Sequence, residues 1–240
     1  MAKKKSAETP ITHKDNAHYK EILKIIRKLS DRHSVWNVFC DFVKITSITI
    51  SNCVARTEYD DREEQYLAII RKYTKDEQEC LAGMFAELIL ALEDEVKSDN
   101  FHDVLGDIFD TLKLYDNQKG QFFTPQHICD MIAKITIDKD DKTIAEKGFI
   151  TFCDPCCGAG RMALGFANAM LSLGYSVNTQ MFVEAADISE VCVHMSYVQL
   201  SLYGIPAVVI HGNTITTERW SLWYTPLFVV GGWEVKLKPA

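Results

Sequence analysis

No stretch of this 240-residue chain stays apolar for the roughly 18 residues that a membrane-spanning helix needs. Its basic start, MAKKKSAETP, is not followed by the apolar segment of a signal peptide. Together these absences give the expectation of a cytoplasmic protein without membrane contact. Basic excess is missing as well. The net charge is −7, with 17 Lys/Arg against 22 Asp/Glu over residues 1–118 and 9 against 11 over residues 119–240. An autonomous DNA binder ordinarily carries a basic excess. Contact with nucleic acid must therefore rest on a local patch or on a partner's charge. Metal-ligand spacing is the third absence. Eight cysteines stand at 40, 53, 80, 129, 153, 156, 157 and 192, and three of them crowd into CDPCC. The Cys-x-x-Cys pair there has no second pair to complete a zinc site, and His127, His194 and His211 show no ligand spacing. The expectation is no metal, and reduced thiols packed as small apolar side chains. Internal repeats and low-complexity segments are absent too.

What is present has two textures. After a charged tail over 1–15, expected to be disordered, a helical pattern runs from 16 to about 118. HYKEILKIIRKL puts Tyr19, Ile22, Leu23, Ile26 and Leu29 on one face. SVWNVFCDFVKITSITISNCV is apolar over too much of its surface for an exposed helix, which predicts a central one. TKDE at 74–77 reads as a capping box, with Leu81, Met84, Phe85, Leu88, Ile89 and Leu92 as the stripe behind it. FHDVLGDIFDTLKLY predicts a further helix. From 119 to 240 short β-rich runs at 149–153, 181–186 and 207–212 alternate with helical runs at 125–134, 161–173 and 189–202. Such alternation predicts a parallel sheet with crossover helices.

The chemistry concentrates at the ends of those strands. In FITFCDPCCGAGRM the first strand delivers Asp154 to its carboxyl end, where open α/β sheets bind ligands. Gly158 and Gly160 allow a tight turn and close approach of a ligand, and the helix opening near Arg161 points free amides at the same place. The second strand, MFVEAAD, ends in acids able to accept bonds from ribose hydroxyls; Asp187 is the first choice and Glu184 the second. The third ends at Asn213, whose carboxamide can accept from an adenine amino group and donate to a ring nitrogen.

GQFFTP, then DPCCGAG, then the acid of DIS, YVQLSLYGI and GNTI resemble, in that order, the adenine-N6 DNA methyltransferases, most closely the modification subunits of type I restriction systems. The resemblance covers roughly half the chain with specific motifs and the helical part more loosely. It implies an incomplete Rossmann-like, S-adenosylmethionine-dependent methyltransferase sheet in an α/β fold, preceded by an α-helical N-terminal domain. It implies S-adenosylmethionine as cofactor, with Gln121, Phe122, Phe123, Thr124 and Pro125 along its methionine end, where an aromatic face suits a sulfonium. Asp154, Pro155, Cys156, Gly158, Ala159, Gly160, Asp187 and Asn213 complete the implied set. Thr124 and Pro125 also suit a helix start, as N-cap and first helical residue. DNA and a specificity or restriction subunit are the implied partners.

The family pattern is not complete. Its Asn/Asp/Ser-Pro-Pro-aromatic segment, which localises the N6 lone pair and stacks on a base flipped from the duplex, has no match. The nearest candidate is TPLF after WSLWY, a candidate fourth strand, and makes Thr225, Pro226 and Phe228 the expected catalytic residues. A plain strand start at TPLFVV explains the same residues. Asn213 stands where the family usually has Asp, and the residues after Phe228 leave room for at most one of about three further strands. The leading expectation is methyl transfer to a flipped adenine. The alternative is a catalytically inactive homologue that binds the cofactor for regulation or assembly. A small-molecule methyltransferase is a weaker third, since GQFFTP belongs to the nucleic-acid enzymes.

Overall fold

The computed structural model of the chain describes residues 16–54, 57–115, 123–138 and 142–238. The tail over 1–15 and the expected cofactor contacts of Gln121 and Phe122 lie outside the described residues.

The first half is helical for the reasons its sequence suggests. α1 (Ala17–Leu29) buries the five-residue stripe from Tyr19 to Leu29. α2 (Val35–Asn52) starts at Ser34, whose Oγ accepts from the Asn37 amide at 3.1 Å. It is central, burying residues around its surface from Val38 to Ser51. After α3 (Tyr59–Ile70), α4 (Lys75–Lys97) opens with the expected box. Thr74 Oγ1 accepts from the Glu77 amide at 3.4 Å, and Glu77 Oε2 accepts from the Thr74 amide at 2.7 Å. Its stripe is narrower than spacing suggests: Leu81, Met84, Leu88 and Leu92 are buried, while Ile89 faces solvent. α5 (Val104–Thr111) is capped by Asp103, whose Oδ1 accepts from the Gly106 amide at 2.7 Å.

The second half runs α6 (Gln126–Thr136), α7 (Lys142–Lys147), β1 (Ile150–Asp154), α8 (Arg161–Ser172), α9 (Val177–Gln180), β2 (Met181–Asp187), α10 (Glu190–Leu202), β3 (Ala207–Asn213), β4 (Glu218–Tyr224), α11 (Pro226–Val230) and α12 (Trp233–Lys236). The sheet order is β1-β2-β3-β4, and the first three strands are parallel. This is a mixed α/β fold with an open, incomplete methyltransferase-like sheet. The fourth strand differs from expectation. β4 folds back antiparallel on β3, with a register shift at His211/Gly212. A four-residue connection from Asn213 to Glu218 cannot make a parallel crossover, which takes a dozen residues or more.

Alternation along the strands sends side chains to two cores. Met181, Val183, Ala185, Ala207 and Val209 join a large cluster that also holds the buried faces of α1, α2, α4, α8 and α10. Phe182, Ala186, Val208 and Ile210 face the other way and pack with Phe228 of α11 and Trp233 of α12. The large cluster runs without a break across the boundary near 118. Polar contacts cross it as well: Ser47 Oγ donates to the His194 carbonyl at 3.4 Å, and Arg62 donates to the Leu222 carbonyl at 2.8 Å while its guanidinium lies 4.0 Å from the Trp223 ring centroid.

Candidate functional site

Parallel strands that start together end together, so Asp154, Asp187 and Asn213, the last residues of β1, β2 and β3, share one edge of the sheet. The loop from Pro155 to Gly160 is tied down there. The Cys156 amide donates to Asp154 Oδ1 at 3.1 Å, the Cys157 amide to the Ala186 carbonyl at 2.9 Å, and the Gly158 amide to Asp187 Oδ2 at 2.9 Å. Asp187 Oδ1 also accepts from the Ser189 amide at 2.8 Å. Both glycines are required by geometry. Gly158 has φ +54°, and a Cβ there would stand 2.9 Å from the Phe123 ring; Gly160 has φ +91°, and a Cβ would stand 2.6 Å from Ser196 Oγ. Gln199 fastens the loop from α10, donating to the Ala159 carbonyl at 2.9 Å and to Asp103 Oδ1 at 2.8 Å.

The two strand-tip acids are held in an electrostatically unfavourable state. Burial raises the pKa of Asp154 above the ordinary aspartate value; the Cys156 amide opposes that rise and the charge of Asp187 adds to it. Burial likewise raises Asp187, against the amide bonds from Ser189 and Gly158. A cation placed between them would relieve both. Glu184, the second choice for ribose, is in the interior of β2 on the opposite face, with Arg219 at 3.6 Å. Asn213 uses its Oδ1 for the next turn, accepting from the amides of Ile215 at 3.0 Å and Thr216 at 3.3 Å. What it has left for a ligand is the carboxamide N–H pair.

Phe123 and Thr124 line the same cleft, but not as a helix cap. α6 begins one residue later than expected, with Pro125 as N-cap residue and no side-chain capping bond. The Thr124 carbonyl instead accepts from Arg161 Nη1 at 3.3 Å. Arg161 is a buried hub that sequence reasoning did not single out as functional. Its Nε donates to Asp103 Oδ2 at 2.8 Å and its Nη2 to Asp107 Oδ1 at 3.0 Å, with Asp110 at 3.7 Å. Burial works against its charge, but the three carboxylates outweigh burial and raise its pKa. The signal was present as three aspartates spaced four and three apart on the face of α5, with one arginine opening the glycine-loop helix.

The cleft has a volume of about 1320 Å³. One wall is the row of strand tips and the glycine loop. The other is helical, with Trp36, Asp41 and Lys44 from α2 and Lys72 just past α3. Two more residues were missed. Ile188 and Ile215, 62% and 93% exposed, line the cleft immediately beyond the Asp187 and Asn213 tips. Exposed branched apolar side chains flanking polar strand tips offer flat contact for a planar ring. Each follows a recognised tip within two residues, which is the signal that could have found it.

The expected catalytic residues are elsewhere. Because β4 is antiparallel, its end at Tyr224 pairs with Val208, near the start of β3 and at the sheet edge opposite the acids. Thr225 is fully buried; its hydroxyl donates to the Ile205 carbonyl at 2.9 Å and accepts from the Ala207 amide at 2.8 Å. Pro226 is the first residue of α11, and Phe228 is buried against Phe182, with ring centroids 5.8 Å apart. This segment closes the second core, and the structure does not bring it to the cleft. Among the described residues no helix is long and apolar enough to cross a membrane, and no cluster of side chains could hold a metal ion.

The methylase subunit of the type I restriction enzyme MpnII from Mycoplasma pneumoniae (strain ATCC 29342 / M129 / Subtype 1) is 26% identical over 161 residues, which are 62% of this chain and 28% of that protein. The chain thus spans little more than a quarter of the curated relative it matches. No solved structure matches it. The family model described as N-6 DNA Methylase matches residues 100–231, more than half the chain and the whole of the strand-tip site. The chain belongs to the N-6 DNA methylase family.

Proposed function

We propose that the strand-tip cleft binds S-adenosylmethionine and that the chain transfers its methyl group to N6 of an adenine flipped out of DNA, working with a partner that supplies sequence choice. The observation that carries this is the arrangement of Asp154, the glycine loop, Asp187 and Asn213 along one sheet edge, beneath a cleft larger than one nucleoside fills. Members of the N-6 DNA methylase family use this cofactor.

The residues fit such a ligand. Two carboxylates whose pKa values are raised by burial favour a cationic guest. Asp187, although bonded to two amides, keeps acceptor capacity for ribose hydroxyls. Ile188 and Ile215 would sandwich the adenine ring, and the Asn213 amide hydrogens would meet a ring nitrogen. Phe123, pressed on Gly158, would lie along the methionine end. When bound, S-adenosylmethionine supplies an electrophilic methyl on a positively charged sulfur. The chain's own part is to orient, to exclude water and to accept hydrogen bonds from the substrate amino group. Besides the strand-tip acids, Asp41 and Glu190 are the carboxylates lining the cleft among the described residues.

A second reading has a specific observation in its favour. Thr225, Pro226 and Phe228 are built into a core and not into the cleft. A cofactor-binding homologue without transfer, acting in assembly or regulation, accommodates that placement. Incubation with tritiated cofactor and adenine-containing DNA separates the two. Label in N6-methyladenine supports transfer; cofactor binding by calorimetry with unlabelled DNA supports the second; no binding heat overturns both.

A further inference from the structure

The helical wall of the cleft has a chemistry of its own. Trp36, in the first turn of α2, is 41% exposed and lines the cleft. It terminates a chain of rings that begins at the glycine loop. Phe123 lies on Gly158, Phe109 is 5.5 Å from Phe123 between centroids, and Trp36 meets Phe109 edge-on at 6.2 Å. Phe109 is fully buried, so the chain emerges to solvent at the indole. The charges beside it are already matched. Lys44 Nζ is 2.8 Å from Glu190, and Lys72 Nζ is 3.2 Å from Asp41. Glu190 is held well down, to about 2, by His194 and by Lys44.

Among the described residues both lysines of this wall are paired with carboxylates, which does not suit a run of phosphates. It does offer one large flat ring beside matched ion pairs, a surface suited to the face of a single heterocycle. The volume agrees. Ligand pockets run to about 300–1,000 Å³, so a cleft of about 1320 Å³ has space for a second planar group beside a nucleoside cofactor. The aromatic that sequence reading assigned to this task, Phe228, is buried elsewhere.

We infer that Trp36 is the stacking platform for the substrate base: a purine extruded from nucleic acid lies against the indole face, opposite the strand tips. The inference rests on the proposed methyl-transfer function and adds the helical half's contribution to substrate binding. A base leaving the duplex gives up its stacking, and an aromatic side chain returns part of it without regard to sequence.

The test uses the full chain with S-adenosylhomocysteine and a short single-stranded oligonucleotide carrying 2-aminopurine at the target position. Base–aromatic stacking corresponds to about a five- to hundred-fold effect on affinity. Trp36→Leu, which keeps apolar bulk but no flat face, is expected to weaken oligonucleotide binding by that factor and to abolish stacking-dependent quenching. Trp36→Phe is expected to stay near wild type. Affinity for S-adenosylhomocysteine, read by calorimetry, is expected to be unchanged in both. Equal oligonucleotide affinity and equal quenching in wild type and Trp36→Leu would overturn the assignment while leaving the proposed function standing. Wild-type protein that binds S-adenosylhomocysteine but not the oligonucleotide would overturn the assignment; absence of N6-methyladenine with S-adenosylmethionine in its place would overturn the proposed transfer as well.

Discussion

Replacing Arg161 by Met is expected to destabilise the whole fold, because the guanidinium is the shared counter-ion of three carboxylates on α5 and its cap. Its side chain is 8% exposed, and its first partner, Asp103, is 0% exposed. Breaking a buried ion pair by removing one partner costs about 3–5 kcal/mol, since the remaining charge stays buried without compensation. Asp103 would keep the Gly106 and Gln199 hydrogen bonds, while Asp107 and Asp110 would lose their common cation and repel one another. Met preserves most of the volume, so the loss reports the charge and not a cavity. For a chain of this size each kcal/mol moves the unfolding midpoint by about 2–4 °C, which places the shift at about 6–20 °C. Urea unfolding followed by circular dichroism supplies the free energy directly. The double variant Arg161→Met/Asp103→Asn should lose about 0.5–3 kcal/mol less than the two single losses added together, because the coupled partners are removed as a unit. A single-variant loss under about 1 kcal/mol, or strict additivity, would refute the hub.

Asp187→Ala should weaken S-adenosylmethionine binding by about 1.5–3 kcal/mol, the scale of hydrogen bonds to a charged group; an unchanged dissociation constant by calorimetry would remove Asp187 from the site. Asp154 and Asp187 have raised pKa values, so the native state binds more protons than the unfolded chain just above the ordinary aspartate value of 3.8. Their contribution to stability therefore falls as pH rises through that window and stays unfavourable at neutral pH. Cofactor affinity runs the other way, weakening as acid neutralises the pair, and calorimetry across pH should show a flatter dependence in Asp187→Asn. Thr225→Val should cost about 1–3 kcal/mol by leaving the buried Ala207 amide unpaired while cofactor affinity stays the same; lost affinity at full stability would return Thr225 to the site.

How much was legible in the sequence depends on what set each feature. α1 and the α4 capping box are local, fixed by apolar spacing and by a Thr/Glu pair three apart, and both stand where expected. The three parallel strands came from runs of β-formers, and their tips carried the acids because a parallel sheet puts like ends together. Ile89 failed for a tertiary reason: the helical stripe was right, but the neighbours of α4 cover a narrower arc than the pattern allows. Thr124 failed by one residue, where Arg161 ties down its carbonyl and α6 starts later. The placement of Thr225 in the second core was legible in the connection length. Too few residues separate Asn213 from the next apolar run for a crossover, so connection length alone dictated a hairpin and sent TPLF to the far edge. The aspartate spacing hinted at the Arg161 hub, but pairing it with α8, like placing Trp36 on the cleft, needed three dimensions, since the partners lie on different helices.

The same long-range contacts decide what kind of cleft this is. α2 and Lys72, just past α3, supply one wall, and the strand tips supply the other. α2 also packs on α10, with Val43, Ile45, Thr46 and Ser47 buried and Ser47 bonded to the His194 carbonyl. Lys44 of α2 reaches Glu190 of α10, and Arg62 of α3 bonds Ser51 of α2 and the Leu222 carbonyl of β4. Moving the walls apart would therefore uncover apolar surface in the large core and strand a buried guanidinium. That cost favours a cleft formed before any ligand arrives. A preformed cleft spends less binding free energy on ordering, and burial of the two strand-tip carboxylates leaves their charged forms disfavoured. The helical half is then part of the site's wall, which is why Trp36, remote in sequence from every glycine-loop residue, ends up facing the same space.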